Sequence, residues 1–289
     1  MLMSEKCNLC PNNCNVDRQN FVGRCTELNN MRIAKFYPHP FEEPFISGTK
    51  GSGTVFFSGC SLKCAFCQNF ELSRSTRGKS ITAHDLADIF KQLEGMGVHN
   101  INLVNPTHFV DKIYEAVKIY HPNVPIVYNT HGYESKTSLD IALKFVDVFL
   151  PDLKFKSPTL SKRYTGIANY FEVASSAILK MMQERPTQIK NGLILKGTCV
   201  RHLILPLAAK DSIEIINWFE QNALNESYIS IMSQYTPFGE IDKFAELKRP
   251  ITKGEYERVL QALMQSSITN CYIQDRTSAS EKFIPKWDF

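Results

Sequence analysis

Four features are missing from this sequence, and each absence argues against a class of protein. There is no run of about 18 apolar residues, so no membrane-spanning helix is predicted. The 33 basic and 29 acidic residues form no block of like charge, and a net charge of +4 spread in this way does not predict nucleic-acid binding. There is no repeat of about 20 to 50 residues and no low-complexity segment. The start, MLMSEKCNLC, lacks the apolar stretch of a signal peptide, so we expect a cytoplasmic protein.

The cysteine content is high for a cytoplasmic chain. A hydrophobic fraction of 43% with 21% charged residues is ordinary for a folded protein, and 289 residues can form one large domain or two modest ones. Disulfides are rare in the cytoplasm, so clustered cysteines there indicate metal ligands or catalysts. Seven of the nine cysteines fall into two groups. The other two, Cys199 and Cys271, are expected to be small core residues.

Apolar runs alternate with helical patterns from about residue 54 onward. The predicted strands cover residues 54–59, 101–104, 124–128, 146–150, 193–195 with 198–205, and 228–232. The predicted helices cover residues 109–120, 137–145, 169–184, 211–223 and 252–265, and another begins after the N-cap Thr82 and stops at Gly97. Continuously apolar strands alternating with helices favour a parallel sheet, as an open doubly wound sheet or as a full or partial barrel. Both place the active site at the C-terminal strand ends.

A cysteine triplet follows the first of these strands. Cys60, Cys64 and Cys67 lie in GCSLKCAFCQN with the spacing C-x3-C-x2-C. Three thiolates can bind three irons of a 4Fe-4S cluster and leave the fourth iron open, whereas electron-transfer sites commonly use four cysteines. An open iron can chelate the amino and carboxylate groups of S-adenosylmethionine. The alternative, a structural zinc site with a fourth ligand elsewhere, is less favoured because zinc sites commonly use paired C-x2-C units.

Several segments resemble one family in order along nearly the whole chain. GCSLKCAFCQN, CNLCPNNCNVDRQNFVGRC, INLVNPTHFV, VYNTHGYES, VFLPDLKF, GTCVRHLILP and ISIMSQYTPFGE resemble radical S-adenosylmethionine (SAM) proteins of an uncharacterised subgroup related to pyruvate formate-lyase-activating enzyme. The resemblance implies a partial (β/α)6 barrel in which a 4Fe-4S cluster cleaves SAM reductively. The resulting 5'-deoxyadenosyl radical would take hydrogen from an unknown substrate, which in an activase is a glycine of a partner protein. A flavodoxin- or ferredoxin-type electron donor is also implied.

The resemblance and the strand-end positions together assign candidate cofactor-binding residues. Phe66, between two of the cysteines, is expected to pack against adenine. Asn105, Pro106 and Thr107 end the second strand, where activating enzymes carry a Gly-Gly-Glu segment that holds the methionyl amino group; this chain lacks that segment, but a backbone carbonyl can accept from an amine. The catalytic residues themselves are not identified.

Charged residues at two later strand ends are candidates as well. Asp152 and Lys154 match an Asp-x-Lys pair that contacts the cofactor in activating enzymes, and the alternative is a surface ion pair. Arg201 has the forked guanidinium suited to the methionyl carboxylate, and the alternative is a solvated arginine.

Other polar residues at strand ends are assigned to the substrate side of the cavity: Asn129, His131, Gln234 and Tyr235. For His131, and for His108 nearby, the alternative is a hydrogen-bonded structural histidine.

The N-terminal cysteines form a second candidate metal site. Cys7, Cys10, Cys14 and Cys25 have the spacing C-x2-C-x3-C-x10-C in a segment too short to build its own core. Soft thiolates accept either a second iron-sulfur cluster, which we favour, or zinc, and metal-free thiols are the last alternative. We therefore divide the chain into a metal-binding segment (1–35), a connector (36–53) and the barrel (54–289). Two other functions stay open: radical modification of a different protein, peptide or small molecule, and a non-catalytic zinc-binding interaction protein.

Overall fold

The structure is a computed structural model, and it describes residues 6–275. The strands within these residues are β1 (Met31–His39), β2 (Ser52–Phe57), β3 (Lys79–Ile81), β4 (Ile101–Val104), β5 (Ile126–Thr130), β6 (Val148–Pro151), β7 (Gln188–Lys190), β8 (Leu193–Leu203), β9 (Tyr228–Met232) and β10 (Cys271–Ile273). The α-helices are α1 (Pro44–Ser47), α2 (Phe70–Ser73), α3 (Ala83–Gly95), α4 (Val110–Ile119), α5 (Lys136–Ala142), α6 (Pro158–Thr165), α7 (Tyr170–Glu184), α8 (Ala209–Asn222) and α9 (Lys253–Gln265).

One mostly parallel sheet organises the molecule. Its strand order is β10-β9-β8-β6-β5-β4-β2-β1-β3, and β7 forms an antiparallel hairpin with β8. Seven neighbouring strands of this sheet, β2, β4, β5, β6, β8, β9 and β10, are parallel, whereas β1 and β3 are antiparallel additions beyond β2. Among the described residues β10 and β3 do not pair with each other, so the sheet stays open. The predicted α/β fold, a partial barrel with six parallel strands, is confirmed in β2, β4, β5, β6, β8 and β9.

Burial on both faces explains the apolar strands. Every residue of β4, β5 and β6 is buried, because helices cover the sheet and leave neither side to solvent. The predicted cap of α3 is also present. The Thr82 hydroxyl accepts from the Asp85 backbone N–H at 3.1 Å, and the Asp85 carboxylate accepts from the Thr82 backbone N–H at 2.8 Å. This reciprocal capping box fixes where the helix begins.

Residues 36–53, assigned to a connector because they show no helical or alternating pattern, contain regular structure. Their first part completes β1, their middle forms α1, and their end begins β2. Pro38 lies opposite Gly53 of β2, but β3 pairs only with Met31–Ile33. Beyond Ile33 this edge of β1 has no partner among the described residues, and proline is tolerated there because no ladder bond is lost.

The remaining differences concern short elements and the isolated cysteines. The hydrophobic pattern predicted neither the short helices α1, α2 and α6 nor the strands β7 and β10. Cys199 is fully buried in a small apolar cluster, as expected, whereas Cys271 is only half-buried in β10. Within residues 6–275 no helix is both long and apolar enough to cross a membrane.

Candidate functional site

A cavity of about 230 Å³ opens at the C-terminal ends of the parallel strands. This is the edge where loops from successive strands converge in parallel α/β folds. Its lining includes Cys60, Cys64, Phe66 and Cys67 after β2, Asn105 after β4, Asn129 and His131 at the end of β5, Asp152 and Lys154 after β6, Arg201 in β8, and Gln234 after β9.

The cysteine loop, residues 59–67, is held by contacts from three other parts of the chain. The Cys60 N–H donates to the Cys25 carbonyl at 3.2 Å, and the Ala65 N–H donates to the Tyr164 carbonyl at 2.8 Å. The Ala65 carbonyl in turn accepts from the Glu240 N–H at 2.8 Å. Anchoring the backbone in this way fixes the direction in which the three thiols project.

The thiols of this loop have the environment of cluster ligands. Cys60 and Cys64 are buried, Cys67 is half-buried, and all three line the cavity. Burial raises the pKa of the Cys60 and Cys64 thiols, so binding to a metal would release protons. Within residues 6–275 no three His, Cys, Asp or Glu side chains form a preformed site for a single metal ion. Three thiols on one buried loop facing a cavity fit a 4Fe-4S cluster with one iron left open.

A buried charge network forms the opposite wall. Lys154 Nζ lies 2.6 Å from Asp152 Oδ2, and Arg201 Nε lies 2.9 Å from Asp152 Oδ1. The three side chains are 13–17% exposed, so the alternatives of a surface ion pair and a solvated arginine are wrong. Burial opposes ionisation of Asp152, but the charges of Arg201 and Lys154 outweigh it and lower the pKa of Asp152. The same pairing raises the pKa of Lys154 against its burial. All three groups are charged at neutral pH.

Glu42 completes this network, and sequence analysis did not single it out. Its Oε2 accepts from Arg201 Nη1 at 3.0 Å, and its Oε1 accepts from Asn102 Nδ2 at 2.8 Å and Asn129 Nδ2 at 3.2 Å. Glu42 comes from the proline-rich stretch HPFEEPF, where two adjacent acids suggest a solvated loop. Only the return of this stretch across the ends of β4, β5 and β8 buries the carboxylate.

His131 lies in the cavity wall as a neutral imidazole. The Tyr133 N–H donates to His131 Nδ1 at 3.1 Å, so the proton is on Nε2, which donates to Ser61 Oγ at 2.7 Å. Burial, aided by the Lys154 charge, lowers the pKa of His131 to about 3. The ring therefore ties the end of β5 to the cysteine loop in addition to lining the cavity.

Two of the other residues predicted to bind the cofactor line the cavity. Phe66 lines it and packs edge-on against Phe155 and Tyr164. Asn105 lines it with a left-handed backbone, φ 59°, and its side-chain amide donates to the Gly59 carbonyl. Both residues therefore stay candidates for holding the cofactor.

Pro106, Thr107 and Tyr235 are not among the lining residues. The Thr107 hydroxyl donates to the buried Glu134 carboxylate at 2.5 Å, because the chain turns into a 3-10 helix immediately after Asn105. The Tyr235 hydroxyl donates to the Leu247 carbonyl at 2.7 Å, and its ring packs edge-on against Phe66.

His108 is a structural histidine. Its Nε2 donates to the Ser58 carbonyl at 2.7 Å, and burial lowers its pKa to about 3. It supports the end of β2 from behind the cavity.

Comparisons with known proteins find matches to the segment that contains the cysteine loop and to the fold as a whole. Residues 47–170, which include all three cysteines of the loop, match a family model described as a 4Fe-4S single cluster domain. An uncharacterised protein of Methanocaldococcus jannaschii is 27% identical over 268 residues, which cover 89% of this chain and 74% of the relative. Among solved structures, Streptococcus suis SuiB bound to its precursor peptide SuiA is 16% identical with a TM-score of 0.51, covering 75% of this chain and 46% of SuiB.

A second structure of SuiB is bound to S-adenosylmethionine. It is 15% identical to this chain with a TM-score of 0.50, and the match covers 75% of this chain and 48% of SuiB. This chain has the same fold as SuiB. It spans about half the length of the SuiB chains it matches. In this fold, β2 leads directly into the cysteine loop, and the ends of β4, β5, β6, β8 and β9 surround the space above it.

Proposed function

We propose that the chain is a radical SAM enzyme whose Cys60, Cys64 and Cys67 bind a 4Fe-4S cluster. The observation that carries this proposal is the convergence of three cavity-facing thiols and a buried charge network at one edge of the sheet. When reduced, the cluster supplies one electron that breaks a carbon–sulfur bond of SAM, giving methionine and a 5'-deoxyadenosyl radical that takes a hydrogen atom from the substrate. The chain's own residues bind and orient the cofactor and exclude water.

The charged wall suits an amino-acid group of the cofactor. The guanidinium of Arg201 is matched to a carboxylate, and Asp152 and Glu42 present carboxylates that can accept from an ammonium group. The backbone carbonyls at residues 105–107 are a further candidate for the ammonium. Because the four charged side chains already hold one another, little side-chain conformational freedom has to be lost when the cofactor binds.

The adenine end requires an apolar surface. Phe66 and Leu62 belong to the cavity lining, next to Met232 and Leu203 from the far strands. These side chains keep water from the space above the cysteine loop, which protects a radical from side reactions.

The substrate is proposed to be a peptide or protein. SuiB, which shares the fold, was crystallised with its precursor peptide. Activation of a glycyl-radical enzyme, in which the substrate is also a protein, stays a prediction. A small-molecule substrate, the flavodoxin- or ferredoxin-type donor and the cytoplasmic location stay predictions as well.

The test is anaerobic reconstitution with iron and sulfide, followed by reduction with dithionite in the presence of SAM. We expect 5'-deoxyadenosine and methionine from the wild-type chain and from Cys271→Ala, a half-buried cysteine outside both groups. Cys64→Ala should form neither product. Cleavage retained by Cys64→Ala, or zinc in place of iron at this loop in the wild type, would contradict the proposal and favour a zinc-binding interaction protein.

A further inference from the structure

The N-terminal segment, residues 6–30, brings four cysteines together without a helix or strand of its own. Backbone hydrogen bonds shape it. The Cys7 N–H donates to the Val16 carbonyl at 2.9 Å, and the Asn13 N–H donates to the Cys10 carbonyl at 3.1 Å. The Cys10 and Cys25 thiols are buried, and Cys25 lies within electrostatic range of both Cys7 and Cys14. So short a segment cannot bury enough apolar surface to hold this shape unaided.

Two of the sulfurs already receive N–H donors. The Arg24 backbone N–H donates to Cys14 Sγ at 3.2 Å, and Asn12 Nδ2 donates to Cys10 Sγ at 3.5 Å. Gly23 leaves space beside the Cys14 sulfur, because a Cβ at position 23 would lie 3.3 Å from Cys14 Sγ. Hydrogen bonds to the cysteine sulfurs are one of the ways in which a protein tunes a bound iron-sulfur cluster.

A buried cation next to the cysteines requires a negative partner. Arg18 is 5% exposed, and its two Nη groups donate to the neutral carbonyls of His108 and Leu28, each at 2.6 Å. Its Nε has no hydrogen-bond partner, and Arg18 forms no salt bridge with a carboxylate anywhere in residues 6–275. The guanidinium lies within electrostatic range of Cys25 and of the buried Glu27 carboxylate, which is itself paired with Arg32. Because a buried charge without a directly bonded counter-ion is costly, a thiolate-bound metal centre beside Arg18 would add favourable negative charge.

The segment lies directly against the cysteine loop of the cavity. The Ser61 carbonyl accepts from both Asn12 Nδ2 at 2.9 Å and Arg24 Nε at 3.1 Å. The approach of the backbones is so close that a Cβ on Gly59 would lie 2.4 Å from the Cys25 carbonyl oxygen. The hydrogen bond from Cys60 to Cys25 therefore joins one cysteine of each group.

We propose that Cys7, Cys10, Cys14 and Cys25 bind a second iron-sulfur cluster. Four thiolates complete the ligand set of such a cluster, and their spacing lacks the repeated C-x2-C pairs that are common in zinc sites. The second centre then lies beside the first, with Cys7 and Cys14 on its more exposed side. The inference builds on the proposed function only in naming the loop that holds the first cluster.

The experiment removes the three cysteines of the first site and measures the metal and sulfide that the remaining cysteines bind. The triple variant Cys60→Ala/Cys64→Ala/Cys67→Ala is reconstituted anaerobically, and its iron, sulfide and zinc are measured together with the electron paramagnetic resonance signal after dithionite reduction. We expect iron and sulfide in equal amounts, about four of each per chain for a 4Fe-4S cluster or about two of each for a 2Fe-2S cluster, with the signal of a single cluster. Adding Cys10→Ser should remove them, whereas adding Cys271→Ser should not.

Three results would overturn the proposal: loss of all iron in the triple variant, one zinc per chain in place of iron, or full wild-type iron in the single Cys10→Ser variant. Cys7→Ser provides a second test at a half-buried position, and circular dichroism verifies that each variant is folded. If the triple variant keeps the entire wild-type iron content, the assignment of the first cluster fails while this one stands.

Discussion

Arg201 is the residue on which the charged wall of the cavity depends. It is held between Asp152, which follows β6, and Glu42, which lies more than a hundred residues earlier in the chain. Removing one partner from a buried ion pair costs about 3–5 kcal/mol, because the other charge stays buried without compensation. The size of the loss depends on how many partners remain.

We therefore expect a ranking of stability losses. Asp152→Asn leaves both Arg201 and Lys154 without their shared carboxylate and should cost about 3–5 kcal/mol, whereas Glu42→Gln leaves Arg201 paired with Asp152 and should cost about 2 kcal/mol. Asp88→Asn, in the exposed pair with Lys91, should cost less than about 0.5 kcal/mol. Urea unfolding at neutral pH measures all three, and equal losses for Glu42→Gln and Asp88→Asn would contradict the network.

His202 predicts a pH dependence of stability. Its Nδ1 donates to the Leu153 carbonyl at 2.8 Å, its Nε2 lies 2.9 Å from Ser212 Oγ, and burial lowers its pKa to about 4. The unfolded histidine, with a pKa of about 6.5, binds a proton that the folded one does not, so stability falls as the pH drops from about 6.5 towards 4. Between pH 7 and 5 this residue accounts for about 2 kcal/mol.

His202→Gln should therefore lose about 2 kcal/mol less than the wild type when the pH is lowered from 7 to 5. The variant will be less stable at pH 7, because it loses a buried hydrogen bond. His84→Gln, on an exposed residue of α3, is the control and should follow the wild-type pH profile. Anaerobic urea unfolding at several pH values gives the comparison, and parallel profiles for His202→Gln and the wild type would refute the prediction.

At the scale of the elements, the cysteine loop packs closely against the loop that follows β9. Gly239, in the loop after β9, has a φ of 96°, and a Cβ there would lie 2.4 Å from the Ala65 carbonyl oxygen. Gly239→Ala should destabilise the chain by about 2 kcal/mol or more, and it should lower the iron content after reconstitution because the cysteine loop must move. Gly254→Ala is the matched control: no described atom lies within 4 Å of that added Cβ, and alanine favours a helix. Unfolding and iron analysis of both variants are the measurements.

The major elements were predictable because their pattern is local. β4 falls at the predicted residues, and Thr82 caps α3 as expected, since both depend on the order of apolar and polar residues within one segment. β1 and β10 were missed for the opposite reason. Pro38 lies within β1, and β10 has three residues that are not fully buried, so each is a strand only because a neighbouring strand offers it an edge.

The same distinction separates the predicted from the unpredicted site residues. The positions of Cys60, Asp152 and Arg201 follow from motifs at strand ends, which the fold brings to one edge. The burial of Glu42 depends on a loop crossing three strands, and the burial of Thr107 depends on Glu134, 27 residues away, so no local pattern could have found either.

At the scale of the whole molecule, stability should be graded from the centre of the sheet outward. Every residue of β5 is buried, whereas every residue of β7 is exposed. We expect β5 amides to exchange hydrogen at least on the order of a thousand-fold more slowly than β7 amides, because local opening frees β7 without disturbing the core. Hydrogen exchange with mass spectrometry tests this, and equal protection of the two strands would show that the sheet opens as one unit.

The contacts of the N-terminal segment also set an order of events during synthesis. The segment leaves the ribosome before the residues that it contacts, because its backbone and side chains bind Ser61, His108, Ser135 and, through Arg24, the carbonyl of Thr165. Its docking site is therefore incomplete until Thr165 has been made. The four cysteines of this segment reach their final positions only after much of the sheet behind them has been synthesised.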